Sequence, residues 1–447
     1  MTGYYVANFG CRATQADGAA IERQLEDRGL KRAQNSRHAE IVVLNTCTVT
    51  ASADHDARAA IRRIHRDNPG CRILVTGCYA QRAPEEIAAI PGVTWVVGNS
   101  HKHAVAKVVC GDAGFVPVAS LQSSVVSLQQ TQTFVGDIFA HTELLAAPVF
   151  GAGAEKTRPN LKVQDGCDNR CSFCVIPSVR GQSRSMPLGQ VLAQVDGLVG
   201  AGYREVVISG INLGRWGRDF PAPRKFVTLV RALLERTSLE KLRISSVEPM
   251  DWSDELIALA GSERRIAKHA HVPMQSGSDA VLRRMYRKYR PWHYAAKIRK
   301  IREAMPEAAI GADVMVGFPG ETDAEFEATR RMIEELPFTY LHVFTYSSRP
   351  GTRSAEMKGQ VPGPVMKERN RVLRDLATRK KQEFMREFIG KAIDAITLNV
   401  GGERSTEALS DNYLKLRLAG RHAANQWVCA LVESVEGDEL VGAVIQR

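Results

Sequence analysis

The 447-residue sequence contains no stretch approaching the roughly 20 uninterrupted apolar residues that a membrane helix requires. Its opening run, Met1-Thr-Gly-Tyr-Tyr-Val-Ala-Asn, has no basic segment, no apolar segment and no small-residue cleavage site, so a secretory leader is not expected. Disorder and fibre are excluded by composition, since 44% hydrophobic and 24% charged residues are ordinary for a globular chain. These absences together predict a cytoplasmic protein. There thiols stay reduced, and the nine cysteines point to metal rather than to disulfides. The net charge of +11, from 60 basic and 49 acidic residues, suits a polyanionic partner, although a plainly solvated surface would look the same.

A chain of this length exceeds one hydrophobic core, so two or three domains are expected. Strand-like runs at Tyr4–Phe9, Ile41–Asn45, Ile73–Thr76 and Trp95–Val97 alternate with helical patterns such as Gly18–Arg28 and Ala51–Asp67. That rhythm predicts a parallel α/β sheet over residues 1–110. From Gly111 the periodicity fades through a Ser/Gln-rich centre (Ser120–Gln132) and a Gly/Ala-rich end (Gly151–Ala154), which predicts a linker over residues 111–152. A second βα series over 153–383 has strand candidates at Leu161–Val163, Val206–Ser209, Leu242–Ser245, His269–Val272, Ile310–Val316 and Leu341–Thr345. It predicts a partial or full α/β barrel with its chemistry at the carboxyl ends of the strands. A basic helix over Val365–Phe388 leads into short strands at Ile393–Leu398, Leu414–Leu418, Trp427–Val432 and Leu440–Ile445. They predict a small β-barrel over 384–447.

Six of the cysteines fall into two sets. Cys167, Cys171 and Cys174 form a Cys-x3-Cys-x2-Cys run on one loop after a short strand. Three soft thiolates at that spacing can hold three irons of a 4Fe-4S cube and leave the fourth open to a substrate that chelates through an amine and a carboxylate. Zinc would want a fourth protein ligand, and none stands nearby. The second set is sorted by strand direction. Cys11, Cys47 and Cys78 each follow a predicted strand, so a parallel sheet brings them to one edge, the edge where open α/β sheets bind ligands. Cys71 begins the strand that Cys78 ends, which places it roughly 20 Å away at the opposite edge. Three buried sheet thiols would satisfy the same pattern. Cys71, Cys110 and Cys429 read as ordinary cysteines.

Cys-x3-Cys-x2-Cys with the aromatic Phe173 before its last cysteine resembles the radical S-adenosyl-L-methionine (SAM) superfamily. The wider run Val163-Gln-Asp-Gly-Cys167 to Cys174-Val-Ile-Pro-Ser-Val-Arg180-Gly resembles its methylthiotransferase branch. So do Gly210-Ile-Asn212-Leu-Gly, Ser246-Val-Glu248-Pro, His271-Val-Pro273-Met-Gln275-Ser276-Gly277-Ser and Val316-Gly-Phe-Pro319-Gly320-Glu321-Thr, and the resemblance spans essentially the whole chain. It implies a flavodoxin-like N-terminal domain, a radical SAM partial barrel and a TRAM-like RNA-binding β-barrel. It also implies two 4Fe-4S clusters and SAM as cofactors, with Asn45-Thr-Cys47-Thr-Val and Thr76-Gly-Cys78-Tyr-Ala-Gln matching the auxiliary-cluster motifs. Phe173, Gly210, Asn212, Ser246, Glu248, Gln275 and Ser276 are the candidate SAM contacts. The sequence departs from the family pattern at Thr14, where Asn is usual, and at Met186, where Arg is usual.

The chemistry implied is transfer of a methylthio group to an unactivated C–H carbon, for which no side chain suffices and a cofactor must supply the radical. Gln360-Val-Pro-Gly-Pro and Asp411-Asn-Tyr413, with the other motifs, look most like the branch acting at C2 of N6-threonylcarbamoyladenosine at position 37 of transfer RNA. Alternatives are the isopentenyladenosine branch, the branch acting on an aspartate of a ribosomal protein, and a non-catalytic iron–sulfur RNA-binding protein. Arg180 and Arg184 are candidates for a SAM carboxylate or an RNA phosphate. Lys380 and Lys381, on the basic helix, are candidates for RNA contact, as is the run Arg283 to Arg290 with Tyr286 and Tyr289. Expected partners are transfer RNA and an electron donor, with no membrane and no DNA.

Overall fold

A computed structural model of the chain describes residues 2–111, 131–141, 143–148, 157–402 and 404–446. The chain divides into two compact units. The first comprises Met1–Val149, Leu161–Ser185 and Ser347–Ala355, and the second Phe150–Asn160, Met186–Tyr346 and Glu356–Arg447.

The first unit is built on six parallel strands: β1 (Gly3–Asn8), β2 (Lys31–Arg32), β3 (Ile41–Thr46), β4 (Arg72–Gly77), β5 (Val93–Gly98) and β6 (Gln132–Phe134), in the order β2-β1-β3-β4-β5-β6. The first five follow the flavodoxin-like order, whose direction reverses between β1 and β3. Every residue of β3 is buried, as an inner strand covered on both faces requires. Val42 and Leu44 pack with Ala57, Ile61 and Ile64 of the helix Ala51–Asp67, while Ile41 and Val43 pack with Ile21 and Leu25 of the helix Arg12–Glu26. The period of two thus assigns alternate residues to opposite layers. Thr50 caps the Ala51–Asp67 helix by accepting from the Ala53 N–H at 3.2 Å, a contact worth about 1 kcal/mol.

Two expectations change here. β6 lies inside the segment read as a linker, where it extends the sheet beside β5. Three residues at the margin of a Ser/Gln-rich run carry too little pattern to be recognised; pairing with an existing edge makes them a strand. Most of Ser120–Gln132 and all of Gly151–Ala154 lie outside the described residues. Second, the strand β7 (Asn160–Asp165), the cysteine loop after it and β8 (Arg184–Ser185) group with the first unit, apart from Asn160, rather than with the rest of 153–383. β8 returns antiparallel to β7, with Asp165 opposite Arg184.

In the second unit β9 (Glu205–Gly210) and β10 (Lys241–Ile244) pair in parallel, as do β11 (His269–His271), β12 (Ala309–Val316) and β13 (Tyr340–Thr345). A bridge at Leu242↔Ile266 and the Val247 N–H donating to the His271 carbonyl at 3.1 Å connect the two groups. Helices Leu188–Gly200, Phe226–Arg236, Pro291–Ala304 and Asp323–Glu335 fill the crossovers, the last closed by a Thr322/Glu325 capping box. Gly311 is required in β12, because a Cβ there would meet the Tyr340 ring at 2.0 Å.

The C-terminal strands β14 (Ala392–Thr397), β15 (Ser405–Ser410), β16 (Lys415–Ala419), β17 (Trp427–Glu436) and β18 (Glu439–Val444) form a closed barrel in the order β14-β15-β16-β18-β17. β15, Ser-Thr-Glu-Ala-Leu-Ser, differs from the expectation, since its short, largely polar run carries little strand pattern although Thr406, Ala408, Leu409 and Ser410 are buried. Phe384, Met385 and Phe388 at the end of the helix Gly363–Arg386 join the barrel core together with Ala309. Arg243, buried against Glu205 at 2.6 Å, donates to the carbonyl of Asp411 at 3.0 Å, and Asn412 donates to that of Glu307 at 3.0 Å. Glu307 precedes β12, so the barrel docks at the amino ends of the strands, away from the edge where such folds place chemistry. Among the described residues no helix is long and apolar enough to cross a membrane.

Candidate active site

Both cysteine sets stand in the first unit. β7 ends at Asp165, and Gly166 turns the chain with φ of 70° where a Cβ would lie 1.9 Å from the Gln182 carbonyl oxygen. The loop therefore folds back on itself: the Cys167 N–H donates to the Gly181 carbonyl at 3.1 Å and the Cys174 N–H to that of Cys171 at 3.1 Å. Cys167, Cys171 and Cys174 are all half-buried on this loop.

Cys11 caps the amino end of the Arg12–Glu26 helix after β1, Cys47 directly follows β3, and Cys78 directly follows β4. The registers Asn8↔Asn45 and Thr46↔Gly77 set the three strand ends level. The site lies at the point where strand order reverses, as the topology rule requires. Gly10 and Gly77 let the backbones close in. A Cβ on Gly10 would lie 2.5 Å from Cys47 Cβ, and one on Gly77 would lie 2.3 Å from the Thr46 carbonyl oxygen, both at positive φ. Cys47 and Cys78 are buried and Cys11 is exposed. Burial pushes the Cys47 thiol up to about 11, and the neighbouring Cys78 and Cys11 act in the same direction. Cys47 therefore ionises more readily beside a compensating cationic centre, which an iron cluster would provide. Among the described residues no three His, Cys, Asp or Glu side chains surround a single metal ion. Three cysteines as a donor set suit a cube, which would take each on a separate iron. Cys71, by contrast, packs in the apolar core with Ile64 and Ile73.

Between the sets lies a cluster of buried charges. Arg180 Nη1 donates to both carboxylate oxygens of Asp165, at 2.9 and 3.0 Å, and Nη2 donates to Asp17 at 2.9 Å and to the Thr14 hydroxyl at 3.4 Å. Lys102 meets Asp17 at 2.8 Å, and Lys162 bridges Asp17 and Asp165, the latter at 2.8 Å. Burial alone would raise the Asp17 carboxyl, but Lys102, Lys162 and Arg180 hold it at about 2. Asp165 is likewise held down against its burial by Arg180 and Lys162, and Arg180 is held above its ordinary value by Asp165, Cys78 and Asp17. Asn99, after β5, donates to Cys78 Sγ at 3.5 Å and to the Val179 carbonyl at 2.6 Å. A second knot backs Cys47: Arg349 and Arg82 both donate to Thr48 and pair with Asp54.

These contacts correct several expectations. Arg180 is buried between two carboxylates, so it has no free fork for a phosphate or a SAM carboxylate. Arg184 donates to the carbonyls of Arg180 and Gln182, at 2.9 and 3.1 Å, and so closes the loop. In the second unit Ser276 is fully buried, its hydroxyl engaged with Thr329 and the Ser278 N–H. On the basic helix, Lys380 donates to the Glu334 carbonyl and Lys381 pairs with Asp438 at the surface, Arg369 is buried against Glu321, and Arg371 pairs with Glu368 and Asp375. Acids interleave with the cations along this helix, and Lys367 and Arg374 stay exposed. In the Arg283 to Arg290 run Tyr289 is buried, its hydroxyl donating to Met274, while Tyr286 is exposed.

The remaining candidates sit after strands. Gly210 closes β9, Asn212 is buried just beyond it, and Ser246 is half-buried after β10. Glu248 is paired with the buried Arg287. Gln275 is buried with φ of 63°, and its Oε1 has no hydrogen-bond partner among the described residues. Phe173 is half-buried on the cysteine loop. Asp17, Asn99, Lys102, Lys162 and Asp165 were missed. Lys162 carried a signal, because a lysine inside an otherwise buried strand needs a partner, and Asn99 and Lys102 follow a strand at the ligand-binding edge.

Comparison with known proteins adds to this geometry. The description Radical SAM superfamily matches residues 161–333, and Uncharacterized protein family UPF0004 matches residues 3–98. The chain is 36% identical to the threonylcarbamoyladenosine tRNA methylthiotransferase MtaB of Bacillus subtilis, over 92% of this chain and 89% of the relative. It is 32% identical to a tRNA-2-methylthio-N(6)-dimethylallyladenosine synthase of Saccharopolyspora erythraea, over 99% of this chain and 86% of that protein. Among solved structures, the radical SAM methyltransferase TsrM of Kitasatospora setae superposes with a TM-score of 0.57 at 14% identity, covering 79% of this chain and 77% of TsrM, a likeness of fold.

Proposed function

The chain belongs to the radical SAM methylthiotransferase family, and from that premise we propose that it methylthiolates transfer RNA at C2 of N6-threonylcarbamoyladenosine beside the anticodon. The observation that carries this reading is the pair of cysteine triads in one unit, one on a loop and one at a sheet edge. Cys167, Cys171 and Cys174 would hold the SAM-binding cluster, and Cys11, Cys47 and Cys78 the auxiliary one. Bound there, the two clusters would supply the one-electron chemistry for SAM cleavage and the sulfur for transfer.

The protein's own residues position and shield. Gly166 and Arg184 close the loop that carries the three thiols. Gly10 and Gly77 bring the three strand ends together. Gly210, Asn212, Ser246, Glu248, Gln275 and Phe173 are the groups proposed to meet SAM, with the unpartnered Gln275 Oε1 as an acceptor for its amine or ribose. An electron donor is required to begin each turnover.

The substrate follows the relatives named threonylcarbamoyladenosine tRNA methylthiotransferase, which are 33–36% identical in four species. The second reading, the dimethylallyladenosine reaction, is favoured by the 32% identity to the synthase of that name. Nucleoside mass spectrometry of transfer RNA from a deletion strain separates them. The proposal expects the methylthio form of threonylcarbamoyladenosine to vanish and its precursor to accumulate. Loss of the methylthio group from the dimethylallyl nucleoside alone would replace the first reading by the second.

A further inference from the structure

The buried charges around Arg180 exceed what is needed to hold two segments together. Five ionised side chains, three cationic (Arg180, Lys102, Lys162) and two anionic (Asp17, Asp165), are shut away from water at one place. Such a cluster is costly to bury, and an apolar contact of equal volume would fasten the segments at lower cost. These five carry one excess positive charge, to which Arg184, 4.0 Å from Asp165, adds, and the excess is aimed. Arg180 Nη2 reaches the Thr14 hydroxyl at 3.4 Å, and that hydroxyl lies 3.6 Å from Cys11 Sγ. Lys102 follows Asn99, whose amide points at Cys78 Sγ. The same guanidinium holds Asp165, two residues before Cys167, and Arg180 itself ends the short helix that follows Cys174.

We propose that Arg180, backed by Lys102, is a positioning residue that raises the electron affinity of the cluster held by Cys11, Cys47 and Cys78, while Asp17 sets how much of that charge the cluster feels. This rests on the assignment of those three cysteines made above. Electron uptake makes an iron–sulfur cluster more negative. A fixed positive charge and N–H donors toward its sulfurs, shielded from solvent, therefore stabilise the reduced form, and net charge and hydrogen bonding are the recognised levers on such potentials. The carboxylates moderate the cation without cancelling it. Two clusters sharing one unit are thereby given different tendencies to take an electron.

The test is an EPR-monitored redox titration of the full-length reconstituted protein. The auxiliary signal is identified as the one that persists in Cys167→Ala and disappears in Cys78→Ala. Arg180→Gln is expected to move the midpoint to lower potential, Asp17→Asn to higher potential, and Arg180→Lys to restore most of the shift, with iron content unchanged. Should Arg180→Gln fail to assemble the cluster, Lys102→Met takes its place with the same expected direction. Shifts of the same sign in the cation and carboxylate variants, or none in either, overturn the proposal, because a merely structural role has no reason to respond to the sign of the charge. The parallel Cys78→Ala protein separates the two failures: full iron content there would defeat the cysteine assignment itself, whereas lost iron with unmoved potentials would defeat only the tuning.

Discussion

The two cysteine triads reach similar chemistry by opposite routes. Cys167, Cys171 and Cys174 lie within eight residues on one half-exposed loop that folds back on itself through the Cys167–Gly181 and Cys174–Cys171 backbone bonds. Cys11, Cys47 and Cys78 come from three strand ends far apart in sequence, two of them buried, and meet only because β1, β3 and β4 run parallel in register. A loop triad depends on spacing, and a sheet triad depends on topology. The first should tolerate change elsewhere in the domain, and the second should report on the integrity of the sheet.

The largest expected effect is at the loop. Cys167→Ala should lower reconstituted iron from about eight towards about four per chain and abolish 5′-deoxyadenosine formation. Undiminished radical production by that variant would remove the loop from the chemistry. At the sheet, Cys78→Ala should cost a similar share of iron yet leave SAM cleavage in place. Cys71→Ala, one strand length away in the apolar core, should keep both clusters and lose only about 1 kcal/mol of stability. Equal iron loss from both changes would mean that strand direction does not sort these cysteines.

The comparison sharpens at Gly77. With φ of 102° and the Thr46 carbonyl 2.3 Å from any added Cβ, Gly77→Ala should destabilise the protein by about 1–3 kcal/mol and deplete auxiliary iron selectively. Metal analysis in a Cys167→Ala background would reveal it, and intact auxiliary iron there would count against a sheet-dependent site. The smallest effect concerns pH. Asp17, held at about 2 in the folded protein against 3.8 ordinarily, stabilises the fold above its ordinary value and loses that contribution as pH falls towards 2. In cluster-free protein, Asp17→Asn should therefore be less stable than wild type by about 2 kcal/mol at neutral pH, and the gap should narrow below about pH 5. Urea unfolding at several pH values measures this, and a gap independent of pH would contradict the ion-pair account.

The same contrast explains what could be read in advance. The loop triad was visible as spacing, and the sheet triad as strands followed by cysteines, because β3 and β4 are apolar runs that announce themselves. Strand positions in both units and the C-terminal barrel were legible for the same reason. β6 and β15 were not, since neither carries an apolar pattern apart from the neighbours it pairs with. Arg180 was read as a free cation because its partners, Asp17 and Asp165, lie 163 and 15 residues away, and a sequence does not display which charges share a cavity. The basic helix misled in the reverse way: Glu368 and Asp375 stood in plain view one turn from Arg371 and were not weighed.

Gathering one triad from three distant strand ends also orders how the protein comes to hold iron. The loop cysteines are close enough to capture metal while the chain is still unfolded, since closing so short a span costs little entropy. The sheet cysteines have no common place until β1, β3 and β4 have paired, and non-local parallel pairing is slow. Maturation of the second centre therefore waits on tertiary structure. On the proposed cysteine assignment, a newly made chain would pass through a half-loaded stage, the first centre filled while the second is still three separate thiols.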